Sequence, residues 1–365
     1  MDLCNINDIK ALLARHGFHF SKAKGQNFLT QSWVPREIVE ASGIDESCGV
    51  LEVGPGIGPL TNELCKAAKK VLAVEVDTSL QPILAETMAG NENLEILFRD
   101  ILKTDIPALV REEFAGLRPM ACANLPYYIT SPVLAALLES RSFEAVTVMV
   151  QKEVAQRICA RAGSADYSAF TVFCQYYAVP ELLFDVPASC FIPQPKVTSA
   201  VLRLNVRTEP VCRITNEKMF FRVVKAAFAQ RRKTLLNALS AGFGELPKQA
   251  LSELLSECGF EPSVRGETLD IPAFACIANA LTAQMDTSCI MFICSAVRTG
   301  VFTPAWLPIC AAGCTRTRQK RPPAPATQEV TRPRRWRLHG RPRCVRTHCA
   351  LRRSSSACAG RRSLH

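Results

Sequence analysis

A glycine-rich loop early in the chain has residue types that could bind a nucleoside cofactor. The loop Glu52–Gly58 reads E-V-G-P-G-I-G and follows the apolar run Val50–Val53. Glycines let the backbone approach a ligand closely at the carboxyl end of a first strand. The spacing differs from the G-x-G-x-x-G of dinucleotide sites, which bind a pyrophosphate. The acidic residue beside the loop suits a cationic ligand instead, such as a methionine-derived sulfonium cofactor.

Two further acids follow the loop in the order expected of a nucleoside site. Glu75 ends the second apolar run, 21 residues after Gly54, and can accept hydrogen bonds from ribose hydroxyls. Asp100 follows the third run and can accept one from an adenine amino group. Each acid alone could be a solvated strand end, and the loop alone could be a turn. Together they predict an S-adenosylmethionine site that includes Gly54, Gly56, Glu75 and Asp100.

The tetrapeptide Asn124-Leu125-Pro126-Tyr127 suits methylation of an exocyclic amino group. Such a nitrogen is a weak nucleophile because its lone pair is delocalised into the ring. The Asn124 side-chain oxygen and the Leu125 carbonyl can accept its two hydrogens, and Pro126 stiffens the turn. Tyr127 offers a face on which a flipped-out base can stack. The alternative is an ordinary loop with a buried Asn and a packed Tyr.

The surrounding pattern predicts a Rossmann-like, doubly wound α/β domain followed by a small helical domain. Short apolar runs separated by amphipathic segments indicate a parallel sheet covered on both faces over about 40–205. The five predicted strands are Val50–Val53, Val71–Val76, Leu94–Phe98, Met120–Ala123 and Val146–Val150. Helices are predicted over residues 8–16, 217–240, 247–258 and 270–284. We therefore predict a catalytic domain over 1–205 and a helical, RNA-binding domain over 206–285.

The net charge of +11 describes the end of the chain rather than its body. Residues 286–365 hold 15 Arg and one Lys against two acids, which gives +14 there and −3 for residues 1–285. Any nucleic-acid contact by the body therefore depends on local basic faces. The 17 cysteines form no C-x-x-C pair, and the start lacks a signal-peptide pattern. We expect a cytoplasmic protein without a disulfide framework, a metal site or a membrane segment.

Five motifs in order make the chain resemble the KsgA/RsmA ribosomal RNA adenine dimethyltransferases. The resemblance runs from about residue 8 to 285, and its motifs are Gly25–Leu29, Glu52–Gly58, Asn124–Tyr127, Phe191–Val197 and Phe228–Leu235. It implies dimethylation of two adjacent adenines in the 3′-terminal hairpin of small-subunit 16S rRNA, late in subunit assembly, by a monomer. The alternatives are a large-subunit adenine methyltransferase of the macrolide-resistance type, or an assembly factor that acts mainly by binding.

The resemblance also assigns residues. It implies cofactor contacts from Asn27, Leu29, Gly54, Glu75, Asp100 and Asn124, and it makes Phe191 a second aromatic wall opposite Tyr127. On a helical wheel of 220–239, one third of the surface is basic and carries Arg222, Lys225, Arg232 and Lys233. This face can contact RNA phosphates or be merely solvated. Arg231 falls on the apolar side, and we expect it to be paired.

The tail departs from the family pattern, because family members end near the equivalent of Met285. We predict a disordered Arg- and Cys-rich tail over 286–365, since residues 315–365 are rich in Arg, Pro, Ser and Cys without periodicity. One interpretation is an extension that adds nonspecific RNA affinity, and another is zinc binding through Cys344, His348 and Cys349 with Cys310 or Cys314. We prefer a third interpretation, a reading-frame or gene-model artefact.

Overall fold

The computed structural model describes residues 1–20 and 25–299, with side chains as far as Asp286. Within these residues there are nine strands and twelve α-helices. The strands are β1 (Phe28–Leu29), β2 (Cys48–Val53), β3 (Lys70–Glu75), β4 (Leu94–Phe98), β5 (Arg118–Asn124), β6 (Ala145–Gln151), β7 (Ala178–Val186), β8 (Phe191–Ile192) and β9 (Ser199–Val206). The helices of the first part are α1 (Ile6–Arg15), α2 (Trp33–Ser42), α3 (Pro59–Ala67), α4 (Gln81–Thr87), α5 (Ile106–Glu113), α6 (Thr130–Glu139), α7 (Lys152–Ile158) and α8 (Ala169–Tyr177). The second part adds α9 (Glu217–Ala229), α10 (Leu235–Gly242), α11 (Lys248–Glu257) and α12 (Ile271–Thr299).

Seven strands form one central sheet in the order β4-β3-β2-β5-β6-β9-β7. The first five are parallel, as the apolar runs predicted. The prediction did not include the two strands at the other edge: β9 runs antiparallel to β6, and β7 runs antiparallel to β9 and so in the same direction as the first five strands. In edge strand β7 only the two end residues are buried, so its sequence lacks the continuous apolar run of a buried strand. Strands β1 and β8 form a separate two-stranded antiparallel ribbon.

The glycine loop turns directly from β2 into α3. Gly58 has φ +96°, a conformation that side chains rarely adopt, and Pro59 occupies the first turn of the helix. A Cβ on Gly58 would lie 2.5 Å from Met88 Cε and 2.9 Å from its sulfur. A glycine at this position therefore serves both the turn and the packing beneath it.

The helical part packs on the sheet part through one continuous apolar core. Tyr176 of α8 contacts Phe220 and Phe221 of α9, with ring centroids 5.2 and 5.3 Å apart. Helix α9 begins at the Asn216 cap, whose side chain accepts from Met219 N. This core includes residues on both sides of 205–206, where the two domains were predicted to meet. The boundary between them therefore stays a prediction.

The single helix predicted over 217–240 was wrong. Helix α9 ends at Ala229, and α10 starts at Leu235 behind the Thr234 cap, which accepts from Asn237 N. The interruption is fixed from outside the segment, because Leu235 N donates to Val264 O over 2.7 Å. Helix α12 continues to Thr299, beyond the predicted end at residue 284.

None of the described helices is both long and apolar enough to span a membrane. No group of three or more His, Cys, Asp or Glu in the described ranges could hold a metal ion. The disorder predicted from residue 286 onward is wrong for residues 286–299, because α12 continues through them. The rest of the tail lies outside the described residues.

Candidate active site

A pocket of about 270 Å³ opens at the carboxyl ends of β2, β3, β4 and β5, where α/β sheets bind ligands. It brings together every residue predicted for cofactor binding or catalysis: Asn27, Leu29, Gly54, Gly56, Glu75, Asp100, Asn124, Leu125, Pro126, Tyr127 and Phe191. Those predictions came from segments up to 164 positions apart in the chain. Residues from four of the five motifs, together with Glu75 and Asp100, thus form one site, whereas Phe228–Leu235 does not line it.

The glycines of the loop leave room on the pocket side. Gly54 has φ +74°, and a Cβ added there would meet no atom within 4 Å. Gly56 has φ +61°, and its Cβ would lie 3.3 Å from the ring of Phe28. Gly54 therefore gives a ligand direct access to the backbone.

Glu75 lies buried beside this loop, with only 5% of its surface exposed. Its Oε1 accepts from Asp77 N over 2.8 Å, and its Oε2 accepts from Gly56 N over 3.4 Å. Burial raises the pKa of the Glu75 carboxyl, whereas these backbone hydrogen bonds lower it. The carboxyl is thus held in one orientation at the pocket wall.

Glu52 is the most buried acid of the pocket. Its Oε2 has no hydrogen-bond partner among the described residues. Burial raises the pKa of Glu52 to about 8; the Thr61 hydroxyl lowers it and the negative charge of Glu75 raises it. An ionised buried carboxyl is costly unless a cation approaches it. The Glu52 Oε2 atom without a partner and the open backbone at Gly54 fit a cationic cofactor such as S-adenosylmethionine.

Asp100 follows β4 and also lines the pocket. Its Oδ1 accepts from Leu102 N over 3.0 Å, and its Oδ2 lies 3.6 Å from Lys103 Nζ. Val76 and Leu102 also line the pocket and are unusually exposed for apolar residues, at 60% and 45%. They offer apolar surface close to the two acids.

Asp77 and Gln26 are pocket residues that the sequence analysis did not single out. Asp77 is buried and accepts from Gln26 Nε2 over 2.8 Å. It also accepts from the backbone N and the hydroxyl of Ser79, which is the pattern of a capped turn. The Asp77-Thr78-Ser79 sequence was a local signal for that turn, whereas nothing local indicates the partner of Gln26.

The Asn-Leu-Pro-Tyr motif lines the pocket at the end of β5, on the side predicted to hold the methyl acceptor and called the acceptor side below. Asn124 is the last residue of β5, and Leu125 N donates to Met149 O of β6 over 3.2 Å. Pro126 O accepts from Ile129 N over 3.1 Å, which closes the turn after the motif. Within the described part of the chain, the Asn124 side chain makes no hydrogen bond. Its amide is available to a ligand.

Two aromatic side chains line the acceptor side. The Tyr127 hydroxyl lies 2.7 Å from Ser199 Oγ, and burial raises the pKa of Tyr127. Phe191 is only 5% exposed and belongs to β8, where it pairs with Leu29 of β1. Both rings border the same cavity, so the predicted sandwich of a base between them stays a prediction.

The basic face was predicted on one long helix, and this helix is interrupted between α9 and α10, so RNA contact by its basic residues stays a prediction. Arg232 and Lys233 lie in the turn between α9 and α10, exposed, while Lys225 is exposed on α9. Arg222 braces the end of α10: it donates to Gly242 O over 3.0 Å, pairs with Glu245 and lies 4.1 Å over the Phe243 ring. Arg231 is paired as expected, 2.9 Å from Glu267.

The sheet order, the glycine loop and the two acids at strand ends define a class, the Rossmann-like S-adenosylmethionine-dependent methyltransferases. The Ribosomal RNA adenine dimethylase family model matches residues 17–271, and the chain belongs to this family. The predicted fold class and the predicted family are thereby confirmed.

Known proteins support the assignment over most of the chain. A Ribosomal RNA small subunit methyltransferase A from Geobacillus thermodenitrificans is 46% identical over 284 residues, 77% of this chain and 97% of the relative. The protein of the same name from Shouchella clausii is 47% identical over 75% of this chain and 94% of the relative. A dimethyladenosine transferase from Plasmodium falciparum is structurally similar, with TM-score 0.57 and 27% identity over 68% of this chain and 95% of that one.

Proposed function

We propose that this protein transfers methyl groups from S-adenosylmethionine to N6 of two adjacent adenines in the 3′-terminal hairpin of 16S rRNA. The product is N6,N6-dimethyladenosine, formed late in assembly of the small ribosomal subunit by a cytoplasmic monomer. One observation carries the proposal: the glycine loop, Glu75 and Asp100 share a single pocket with Asn124–Tyr127. The relatives named small subunit methyltransferase A support the choice of subunit.

We assign the cofactor half of the pocket to the loop and the acids. Gly54 offers its open backbone, Glu75 accepts from the ribose hydroxyls, and Asp100 accepts from the adenine amino group. Asn27, Leu29 and Gly56 complete the wall. S-adenosylmethionine supplies an electrophilic methyl group when bound. The residues of this half bind and orient, and none of them has to act as a nucleophile.

The acceptor half holds the base and activates its nitrogen. We assign the Asn124 side-chain oxygen and the Leu125 carbonyl as acceptors of the two N6 hydrogens, which draws the lone pair out of conjugation. Tyr127 and Phe191 stack on the base, and Pro126 keeps the turn rigid. The methylated nitrogen becomes acidic and loses its proton afterwards, so no strong general base is needed. The residues accelerate the reaction mainly by alignment and electrostatics.

The decisive experiment offers the protein under-methylated small subunits and methyl-labelled cofactor, and then maps the modified nucleotides. We expect N6,N6-dimethyladenosine at two adjacent positions in the 3′-terminal hairpin. Large subunits and deproteinised total RNA serve as matched acceptors. Absence of label in the small-subunit hairpin would contradict the proposal.

A second candidate is methylation of large-subunit RNA. The structure resembles the 23S rRNA methyltransferase ErmE, with TM-score 0.54 and 26% identity over 70% of this chain. The same mapping experiment decides between the two, because label in the large-subunit acceptor supports this candidate. A third candidate is an assembly factor that acts mainly by binding. It requires that catalytically inactive protein still supports subunit maturation.

A further inference from the structure

The segment Gly25–Leu29 lies across both halves of the pocket. A Cβ on Gly25 would lie 3.1 Å from Tyr128 Cδ1, beside the acceptor motif, and Phe28 packs on Gly56 of the cofactor loop. The segment is therefore in contact with the acceptor side and the cofactor side at once. We refer to these five residues as the bridging segment.

The bridging segment is tied to the cofactor side through two buried acids. Gln26 Nε2 donates to Asp77 Oδ2 over 2.8 Å. Asp77 N in turn donates to Glu75 Oε1 over 2.8 Å, and Glu75 Oε2 accepts from Gly56 N. Gln26 is thus two hydrogen bonds from the carboxyl that we assign to the ribose. Hydrogen bonds to charged groups are the stronger ones, so this chain of contacts is able to transmit order.

The other end of the segment is tied to the aromatic wall. Leu29 pairs with Phe191, and Phe28 pairs with Ile192, in the β1–β8 ribbon. Thr30 N extends the ribbon by donating to Cys190 O over 2.8 Å. Leu29 and Phe191 are both buried, so a displacement of one strand is felt by the other.

We propose that Gln26 is a positioning residue that couples the two halves, so that a cofactor bound at Glu75 orders the Phe191 wall through Asp77 and the bridging segment. The inference rests on the proposed function, because it takes Glu75 as a cofactor contact and Phe191 as a base contact. The consequence is ordered binding: the cofactor binds first, and adenine then binds with higher affinity than it would to the cofactor-free protein. A bound cofactor makes the base site more ordered, because both ligands favour the same arrangement of the bridging segment.

Amide hydrogen exchange tests the coupling without any RNA or methyl transfer. S-adenosylhomocysteine is added at a saturating concentration, set by calorimetry for each variant, and exchange is followed in peptides that cover 28–30 and 190–192. In the wild type we expect the ligand to slow exchange in both peptides by about fivefold or more, within the usual range of coupling. In Gln26→Leu we expect less than about twofold slowing at 190–192 at equal occupancy.

Two further variants separate positioning from mere disturbance of the fold. Gln31→Leu, an exposed position outside the bridging segment, should behave as the wild type. Asp77→Asn, with Gln26 present, should retain most of the coupling. The Gln26 amide can flip and accept from the new amide group, and Asn still caps the turn.

Failure of the proposed function and failure of the coupling give different results in this experiment. If the wild type does not bind S-adenosylhomocysteine, the proposed function and the coupling are both overturned. If Gln26→Leu binds the ligand and still protects 190–192 as the wild type does, only the coupling is overturned. Complete loss of ligand binding in Gln26→Leu would make Gln26 an ordinary binding residue and would also overturn the coupling.

Discussion

The Tyr127 hydroxyl lies 2.7 Å from the Oγ of Ser199, a buried residue 72 positions further along the chain. Ser199 is the first residue of β9 and pairs with Gln151 of β6. An antiparallel strand next to the parallel part of the sheet thus holds the ring that we assign to base stacking. The hydrogen bond restricts the ring to one orientation before any base arrives.

Ser199→Ala is expected to raise KM for small subunits by about three- to tenfold with little change in cofactor affinity. The Tyr127 hydroxyl loses its partner in a partly buried place, which costs about 1–3 kcal/mol and favours other ring orientations. Steady-state kinetics with varied subunit concentration measure the effect. Tyr127→Phe should have a similar effect, and the double variant should be no worse than either single one. Additive effects would contradict the orienting role.

Glu75→Gln is expected to weaken binding of S-adenosylmethionine by about ten- to a hundredfold. The amide keeps one acceptor oxygen but lacks the charge that makes hydrogen bonds to the ribose strong, worth about 1.5–3 kcal/mol each. Isothermal titration calorimetry measures the change. The exposed Glu92→Gln serves as the matched control and should bind as the wild type does. Equal affinities for all three proteins would remove Glu75 from the cofactor site.

Asn124→Ala is expected to lower kcat by more than about a hundredfold while small-subunit binding persists. The variant lacks the side-chain oxygen that would accept an N6 hydrogen, a contribution typical of preorganised electrostatic groups. Methylation assays and subunit co-sedimentation measure the two properties separately. If this inactive variant restores normal subunit maturation in cells that lack the protein, binding rather than methylation is the main role.

Glu52 predicts a pH dependence of stability. Its pKa is about 8 in the folded protein, against 4.5 in the absence of burial. Between these values the folded state holds a proton that the unfolded state has lost, so stability falls as pH rises from about 4.5 to 8 and levels off above. Urea unfolding at several pH values should show a flatter decline in Glu52→Gln than in the wild type. Parallel declines would contradict a neutral, buried Glu52.

Lys233 and Arg222 were both predicted on one basic face, but we expect them to differ in their contribution to RNA binding. Lys233→Ala should weaken RNA binding at all sequences and lower the slope of log affinity against log salt by about one. Arg222→Ala should leave that slope unchanged and lower Tm by several degrees, because it removes the contacts to Gly242, Glu245 and Phe243. Filter binding and thermal unfolding measure the two effects. A salt slope that changes equally in both variants would restore the single basic face.

The sequence was informative where short-range patterns decide the structure. Buried parallel strands are continuous apolar runs, and ligand residues follow strand ends, so Gly54, Glu75, Asp100 and Asn124 could be assigned in advance. The interruption after Ala229 could not be found from helical periodicity, because the apolar spacing continues through it. Thr234 was a local signal, but the bond from Leu235 N to Val264 O is a tertiary contact.

Contacts between distant segments were the other limit. Gln26 and Asp77 are separated by 51 positions, and neither residue type specifies the partner. The antiparallel placement of β9 likewise depends on pairing with β6 rather than on its own residues. The residues that line the pocket were therefore predictable, but the contacts that hold those residues in place were not.

The continuous core between α8 and α9 has a consequence for how a target nucleotide is selected. With Tyr176, Phe220 and Phe221 packed together, helix α9, which carries Lys225, is fixed relative to the pocket. The turn that carries Lys233 follows α9 directly. An RNA hairpin whose phosphates are held by these two lysines presents only the nucleotides that lie at the matching distance from the pocket. We expect the distance between these phosphate contacts and the pocket, more than the base sequence of the hairpin, to determine which adenines are modified.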